Sequence, residues 1–213
     1  MLGIIAVADG EPRLAILWLV IAMVIDGIDG PFARAWDVSE HLPRIDGYAL
    51  DLIVDYVTCV VIPVIFLHQF EMLPAGTSLW IGAIMLFVGA LWMSRTDQMT
   101  NDHWFNGFPG EWNVLVPTMY LLDLPADAVA AVCVLLAFTQ LTDWKFVHPM
   151  QVVHWRPTTM AATATWLGTI LWMTVELPDR PDIGGMLLVA CSTYIVSIGV
   201  WRTIAPRWRA TAS

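Results

Sequence analysis

Residues 26–55 read DGIDGPFARAWDVSEHLPRIDGYALDLIVD, an acidic stretch between long apolar runs. Asp26 and Asp29 are three positions apart, and Asp51 and Asp55 are four apart. On helices both spacings put the two acids of a pair on one face. If the two helices pack side by side, the carboxylates converge on one pocket, where they must take up protons or cations. Hard divalent ions such as Mg²⁺ or Mn²⁺ prefer oxygen ligands, so the stretch predicts a divalent-cation site.

The composition is that of a membrane protein. The chain has 213 residues, of which 58% are hydrophobic and 14% charged, with a mean hydropathy of +0.66. Charged residues make up about a quarter of a soluble domain, so this chain is depleted in them. We therefore predict one domain over residues 1–213: an all-α, polytopic integral-membrane helical bundle. The net charge of -9 argues against a nucleic-acid partner, because the basic surface that such proteins carry is missing.

The apolar runs give the order of the predicted helices. Asp46 is a candidate N-cap for the second run, and polar loops are expected at 35–46, 96–111 and 142–157. Residues 1–7 are a short apolar segment that ends in a turn. We expect about six to eight membrane helices, and the complete runs lie at 14–34, 47–69, 78–95, 111–122, 126–141, 158–177 and 184–203.

The basic residues orient this bundle. If Arg34 is cytoplasmic and the runs alternate across the membrane, eight of the ten Lys and Arg residues lie on that side. Arg13 and Arg180 are the two on the other side. This asymmetry satisfies the positive-inside rule and predicts that the acidic stretch lies at the cytoplasmic face.

The acidic stretch also carries a family pattern. It reads D-x-x-D-G-x-x-A-R, a spacer of twelve residues, then G-x-x-x-D-x-x-x-D, which resembles the signature of the CDP-alcohol phosphatidyltransferases. The spacer is longer than is usual in that family. The longer spacer resembles the bacterial branch that uses choline, as do residues 55–57, 107–109, 112–113 and 146–149. The matching fixed positions are Asp26, Asp29, Gly30, Ala33, Arg34, Gly47, Asp51 and Asp55.

The resemblance implies an activity and a role for each motif residue. An alcohol would attack the lipid-side phosphorus of CDP-diacylglycerol, and CMP would leave. The four aspartates would bind two divalent cations, and Asp55 would also act as the general base. Gly30, Ala33 and Gly47 would form the cytidine-diphosphate site. Arg34 would either contact a phosphate there or extend to the membrane interface.

The resemblance further implies a multi-pass enzyme of the bacterial inner membrane, acting as a homodimer. It also implies a membrane helix ahead of the helix that carries Asp26. Residues 1–7 correspond to the last part of that helix, so we expect either that the first membrane helix is truncated in this chain or that this member does without it.

The acceptor alcohol is predicted to be choline. A quaternary ammonium needs negative potential and aromatic faces instead of basic residues. Tyr56, which follows Asp55, and Trp104 and Trp112, which belong to the neighbouring loop, are the candidate choline-binding residues. His103 and His148 are further candidates in loops that match the choline branch.

Two alternatives stay open at this point. A sister transferase would use serine, inositol phosphate or glycerol phosphate, and anionic acceptors would require spare basic residues near the site. A cation transporter would use the four aspartates as an ion relay. The transporter hypothesis leaves the glycines and Ala33–Arg34 unexplained.

Overall fold

A computed structural model describes residues 1–36 and 44–205, except for the side chains of residues 29–31 and 33–35. Each predicted apolar run forms a helix, with ends that differ by a few residues. The described residues form eight helices: α1 Leu2–Ala8, α2 Pro12–Ala35, α3 Gly47–Gln69, α4 Ser78–Met93, α5 Trp112–Leu121, α6 Ala126–Gln140, α7 Arg156–Glu176 and α8 Asp182–Ile204. Two short strands complete the fold: β1 Trp104–Asn106 and β2 Lys145–Val147.

Helix α3 begins where the sequence predicts. The side chain of Asp46 accepts a hydrogen bond from the backbone N–H of Ala49 at 3.1 Å, which caps the first turn. The helix then continues to Gln69, with a π-helical segment over Tyr56–Val61. A π segment widens the helix locally and is frequent at functional sites.

Among the described residues, α3 and α8 are long and apolar enough to cross a membrane. Only 28% of the most apolar part of each helix is buried inside the protein, whereas the core helix of a soluble protein would be mostly buried. Large apolar side chains such as Phe87 and Met186 are 67% and 68% exposed. The protein is therefore mostly helical with two candidate membrane spans, and the larger number of membrane helices stays a prediction.

The core lies between α2, α3, α5 and α7, and α8 closes it beside α7. Its fully buried side chains include Ile16, Phe66, Trp112, Ile170 and Leu188, one from each of these helices. Such close packing gains many small dispersion contacts. The packing fixes the end of α2 beside the first part of α3, which is where the acidic residues lie.

A two-stranded antiparallel ribbon replaces two of the predicted loops. β1 pairs with β2 in the register Trp104↔Val147, Phe105↔Phe146 and Asn106↔Lys145. Both strands are three residues long, too short for an alternating pattern to be recognised. The all-α prediction and the loops at 96–111 and 142–157 need this correction.

Glycines let the ribbon approach the helices closely. At Gly199 on α8, a Cβ would lie 2.7 Å from the carbonyl oxygen of Lys145. Gly107 has φ +80°, and a Cβ there would lie 2.7 Å from the carbonyl oxygen of Gln140. A side chain at either position would push the ribbon away from the helical bundle.

Candidate functional site

Three of the four predicted aspartates come together in the structure. Carboxylate oxygens of Asp26, from α2, and of Asp51 and Asp55, from α3, lie within 4.8 Å of one another. Asp26 and Asp51 are exposed and Asp55 is half-buried, so the cluster is open to ligands. Opposite ligands of one Mg²⁺ are about 4.2 Å apart, since each lies about 2.1 Å from the ion. The donor type and the spacing therefore fit a hard divalent cation.

The other motif residues of α2 are only partly described. The helix passes through Asp29, Gly30, Ala33 and Arg34, but their side chains lie outside the described residues. Gly47 begins α3, and a Cβ built on it would meet nothing within 4 Å. The space beside its backbone is therefore open, as a bound nucleotide would require.

Tyr56 is placed by the π segment that follows Asp55. Its hydroxyl donates a hydrogen bond to the carbonyl oxygen of Leu86 on α4 at 3.0 Å. The ring is half-buried and packs near Gly89 on the same helix. Tyr56 thus joins α3 to α4, and its predicted contact with choline stays a prediction.

The two tryptophans predicted to bind choline lie in different clusters. Trp104 is 3% exposed and packs with Val147, Val152 and Ile198 beside the ribbon. Trp112 is fully buried in the main core, with its ring 4.8 Å from that of Phe108 in an edge-on contact. The structure therefore does not bring them together into one aromatic cage.

Glu111 and an adjoining cavity were missed by the sequence reasoning. Glu111 precedes α5, and its charge interacts with those of Asp26 and Asp55. Burial, followed by the charge on Asp26, raises the pKa of Glu111 to about 7. Glu111 also lines an apolar cavity of about 120 Å³ with Phe108. An acid directly before an apolar run, next to the motif FPG at 108–110, is the signal that could have identified this position.

The charges around the ribbon are paired within the protein. The guanidinium of Arg95 donates to both carboxylate oxygens of Asp97, at 2.8 and 2.9 Å, and to Asp143 at 3.2 Å. Arg202 on α8 donates to Asp102 at 2.8 Å. Burial would raise the pKa of Asp102, but hydrogen bonds from Thr100 and Arg202 outweigh it and hold that pKa below its ordinary value.

The predicted histidines also lie beside the ribbon. The ring of His148 stacks on Phe105 with centroids 5.1 Å apart, and its Nδ1 accepts a hydrogen bond from the backbone N–H of Met150. Burial, and then the neighbouring charge of His103, lowers the pKa of His148 to about 4. His148 is therefore neutral at physiological pH, and its site role stays a prediction.

Fold and site together define a class: an apolar helical protein with a carboxylate cluster that can hold divalent cations. No protein-family model matches the chain.

The chain is similar to several curated proteins along most of its length. The chain is 39% identical over 210 residues to a phosphatidylcholine synthase of Pseudomonas aeruginosa, covering 98% of this chain and 87% of that protein. It is 33% identical over 201 residues to one of Mesorhizobium japonicum, covering 93% and 75%. With one of Legionella bozemanae it shares 36% identity over 198 residues, covering 89% and 91%.

The chain therefore belongs to the phosphatidylcholine synthase family. The resemblance to the choline-using branch of the CDP-alcohol phosphatidyltransferases is confirmed. The roles of the individual motif residues are not tested by this relationship and are treated as proposals.

Proposed function

We propose that the protein transfers the phosphatidyl group of CDP-diacylglycerol to choline and releases CMP. The observation that supports it best is the cluster of Asp26, Asp51 and Asp55 in a chain related along nearly its whole length to phosphatidylcholine synthases. A new bond forms between the choline oxygen and the lipid-side phosphorus. The bond between that phosphorus and the CMP oxygen breaks.

Asp55 is the proposed general base. Asp55 is half-buried. The charges of Asp26 and Asp51 both interact with its carboxylate. It takes the proton of the choline hydroxyl as the oxygen attacks, which typically contributes about 10²- to 10⁴-fold to the rate. A carboxylate held by α3 at a fixed position can do this without reorganising the helix.

Asp26, Asp51 and Asp55, with Asp29, are proposed to hold two divalent cations. The open cluster and its oxygen donors fit Mg²⁺ or Mn²⁺. When bound, the cations would offset the negative charge on the diphosphate of the substrate. Gly47, with open space beside its backbone, is proposed to face the cytidine diphosphate with Gly30, Ala33 and Arg34.

The pairing of two basic residues beside the ribbon favours choline over an anionic acceptor. Arg95 is bound by Asp97 and Asp143, and Arg202 by Asp102. An inositol phosphate or glycerol phosphate would require a basic side chain available for its phosphate. Glu111, whose charge interacts with that of Asp26, adds a further acidic group near the cluster, which favours a cationic acceptor.

We further propose that the chain is a multi-pass protein of a bacterial inner membrane with its acidic site at the cytoplasmic face. The apolar surfaces of α3 and α8 and the distribution of basic residues support this orientation. Single cysteines placed at exposed Trp36 and Ile45, in a variant without native cysteines, should be labelled by a membrane-impermeant reagent only after the inner face is opened. Labelling in intact cells would contradict the orientation.

Purified protein provides the direct test of activity. It should convert CDP-diacylglycerol and radiolabelled choline to phosphatidylcholine and CMP in equal amounts. Serine and glycerol 3-phosphate, supplied in the same assay, should give little product. Ready use of either alcohol without phosphatidylcholine formation from choline would overturn the proposal. The oligomeric state, proposed to be a homodimer, can be measured on the same sample by light scattering.

A further inference from the structure

We propose that the cavity beside Glu111 is the acceptor pocket, in which the carboxylate of Glu111 and the rings of Phe108, Phe146 and Trp166 hold the trimethylammonium group of choline. This proposal rests on the proposed function and names the residues that select its acceptor. It replaces the cage predicted from Tyr56, Trp104 and Trp112.

The walls of the cavity suit a quaternary ammonium. The cavity has a volume of about 120 Å³. One water molecule needs roughly 10 to 15 Å³ of such space, so the cavity can hold several groups of that size. Phe108 and Phe146 meet edge-on at 5.6 Å, and both rings line the space. Methyl groups on a positive nitrogen bind favourably to such aromatic surfaces.

Trp166 is held in place for this contact. Its indole N–H donates to the hydroxyl of Thr118 at 2.9 Å, and that hydroxyl donates in turn to the carbonyl oxygen of Val114 at 2.8 Å. The polar edge of the indole is thereby satisfied away from the cavity, while the ring lines it. A fixed ring needs less ordering when a ligand binds.

The cavity is acidic. Of the described residues that line it, Glu111 alone is ionisable, and a bound cation would favour its carboxylate form. An acceptor cation would therefore meet one carboxylate and aromatic surfaces, and no lysine or arginine among those lining residues. An anionic acceptor would be repelled by the same carboxylate.

The cavity adjoins the proposed site of phosphoryl transfer. Met23 lines it from α2, one helical turn before Asp26 on the same face of the helix. Glu111 interacts electrostatically with both Asp26 and Asp55. A choline whose ammonium group lies in the cavity can therefore direct its hydroxyl toward Asp55.

An acyl chain of CDP-diacylglycerol is the competing occupant, and the carboxylate of Glu111 argues against it. Thr163 and Ser192 also line the cavity, but their hydroxyl oxygens are buried and have no hydrogen-bond partner in the part of the chain that is described. An alkyl chain beside Glu111 would leave that carboxylate unpaired. A lipid tail also finds an apolar environment in the bilayer itself.

The test compares choline with its neutral carbon isostere, in which a tert-butyl group replaces the trimethylammonium group. Glu111→Gln should raise the KM for choline at least about tenfold and change the KM for the isostere little, because the variant removes charge and keeps shape. Glu176→Gln, at an exposed position at the end of α7, is the matched control and should change neither value.

The aromatic wall is tested separately at Trp166. Trp166→Leu should raise the KM for choline about fivefold to tenfold, and Trp166→Phe should restore part of it. The KM for CDP-diacylglycerol should stay within about twofold of wild type in all of these variants, as contacts remote from the lipid predict. Partial rescue by phenylalanine separates an aromatic contact from a simple loss of packing.

Each outcome decides one question. Failure of the wild type to make phosphatidylcholine would overturn the proposed function itself. If the wild type is active, an unchanged ratio of the KM for choline to the KM for the isostere in Glu111→Gln would overturn only the proposal that the cavity binds choline. A raised KM for CDP-diacylglycerol instead of choline would assign the cavity to the lipid. If Glu111→Gln makes no product, binding of radiolabelled choline decides, and binding equal to that of wild type would overturn the pocket.

Discussion

Charged side chains are arranged differently in two regions: carboxylates cluster together where α2 ends and α3 begins, whereas charges of opposite sign pair around the β1–β2 ribbon. Asp26, Asp51 and Asp55 gather like charges within 4.8 Å, and the first nine residues of α3, Gly47–Asp55, bury none of their side chains. At the ribbon, Arg95 and Arg202 each meet acidic partners at 2.8 Å. The charges at the ribbon are neutralised by ion pairs within the protein. The acidic cluster instead favours the binding of cations from solution.

This difference separates structure from function. A paired, partly buried ion pair fixes one arrangement of the chain, and removing one partner leaves the other uncompensated. A cluster of like charges costs stability and is retained where a ligand makes use of it. We therefore expect changes at the acidic cluster to affect activity and changes at the ribbon to affect stability.

The largest effect should follow removal of divalent cations. EDTA should reduce phosphatidylcholine synthesis to background, and Mg²⁺ or Mn²⁺ added in excess should restore it. Full activity after exhaustive chelation would contradict a functional role of the acidic cluster as a divalent-cation site. Thermal unfolding in the same samples provides the control: Tm should fall by only a few degrees with EDTA, since the cations stabilise the folded state while the helices still pack through apolar contacts.

Asp55→Asn should reduce turnover by at least about a hundredfold, because the amide keeps the shape and loses the basicity that deprotonates the alcohol. Initial rates at saturating choline and CDP-diacylglycerol measure the effect. Asp127→Asn, at an exposed position in the first turn of α6, is the matched control. More than a few per cent of activity in Asp55→Asn would show that another group accepts the proton.

Much of the acidic site could be predicted from the sequence because it is local in the chain. Helical spacing puts Asp51 and Asp55 on one face, and Asp46 caps the helix as predicted. The ribbon could not be predicted, because each strand has three residues and Arg202 finds Asp102 a hundred positions away. Nearness in sequence leaves the role of Tyr56 open, since it follows Asp55 while its hydroxyl bonds to Leu86 on α4.

A smaller effect, on stability, is expected at the ribbon. Asp102→Asn removes the negative charge opposite Arg202, whose side chain is 18% exposed while that of Asp102 is 40% exposed. Solvent screening at this exposure limits the loss to about 1 kcal/mol, or a few degrees in Tm. Asp127→Asn, outside the ribbon, removes only an exposed charge from the first turn of α6 and should lower Tm less than Asp102→Asn does. The activity per folded molecule should stay near that of wild type, and a large loss of turnover would contradict a purely structural role.

The smallest effect should be a pH dependence of stability that comes from His148. Its pKa is lowered to about 4 by burial and by His103, against about 6.5 in an unfolded chain. Above pH 6.5 the ring is neutral in both states and its stabilisation is complete. As pH falls from 6.5 toward 4, the unfolded chain takes up a proton that the folded chain refuses, so the free energy of unfolding falls. The upper limit for one proton is about 1.4 kcal/mol per pH unit, and solvent screening of a partly buried ring reduces the loss well below that limit.

A variant of His148 measures this contribution. Tm of the purified protein, followed between pH 7 and pH 5, should fall more steeply in wild type than in His148→Gln. The amide oxygen can still accept the bond from the backbone N–H of Met150 that Nδ1 of His148 accepts now. The stacking contact with Phe105 is lost, so the comparison uses the slope of Tm with pH and not its absolute value. Equal slopes in the two proteins would mean that His148 takes up its proton as readily in the folded state as in the unfolded one.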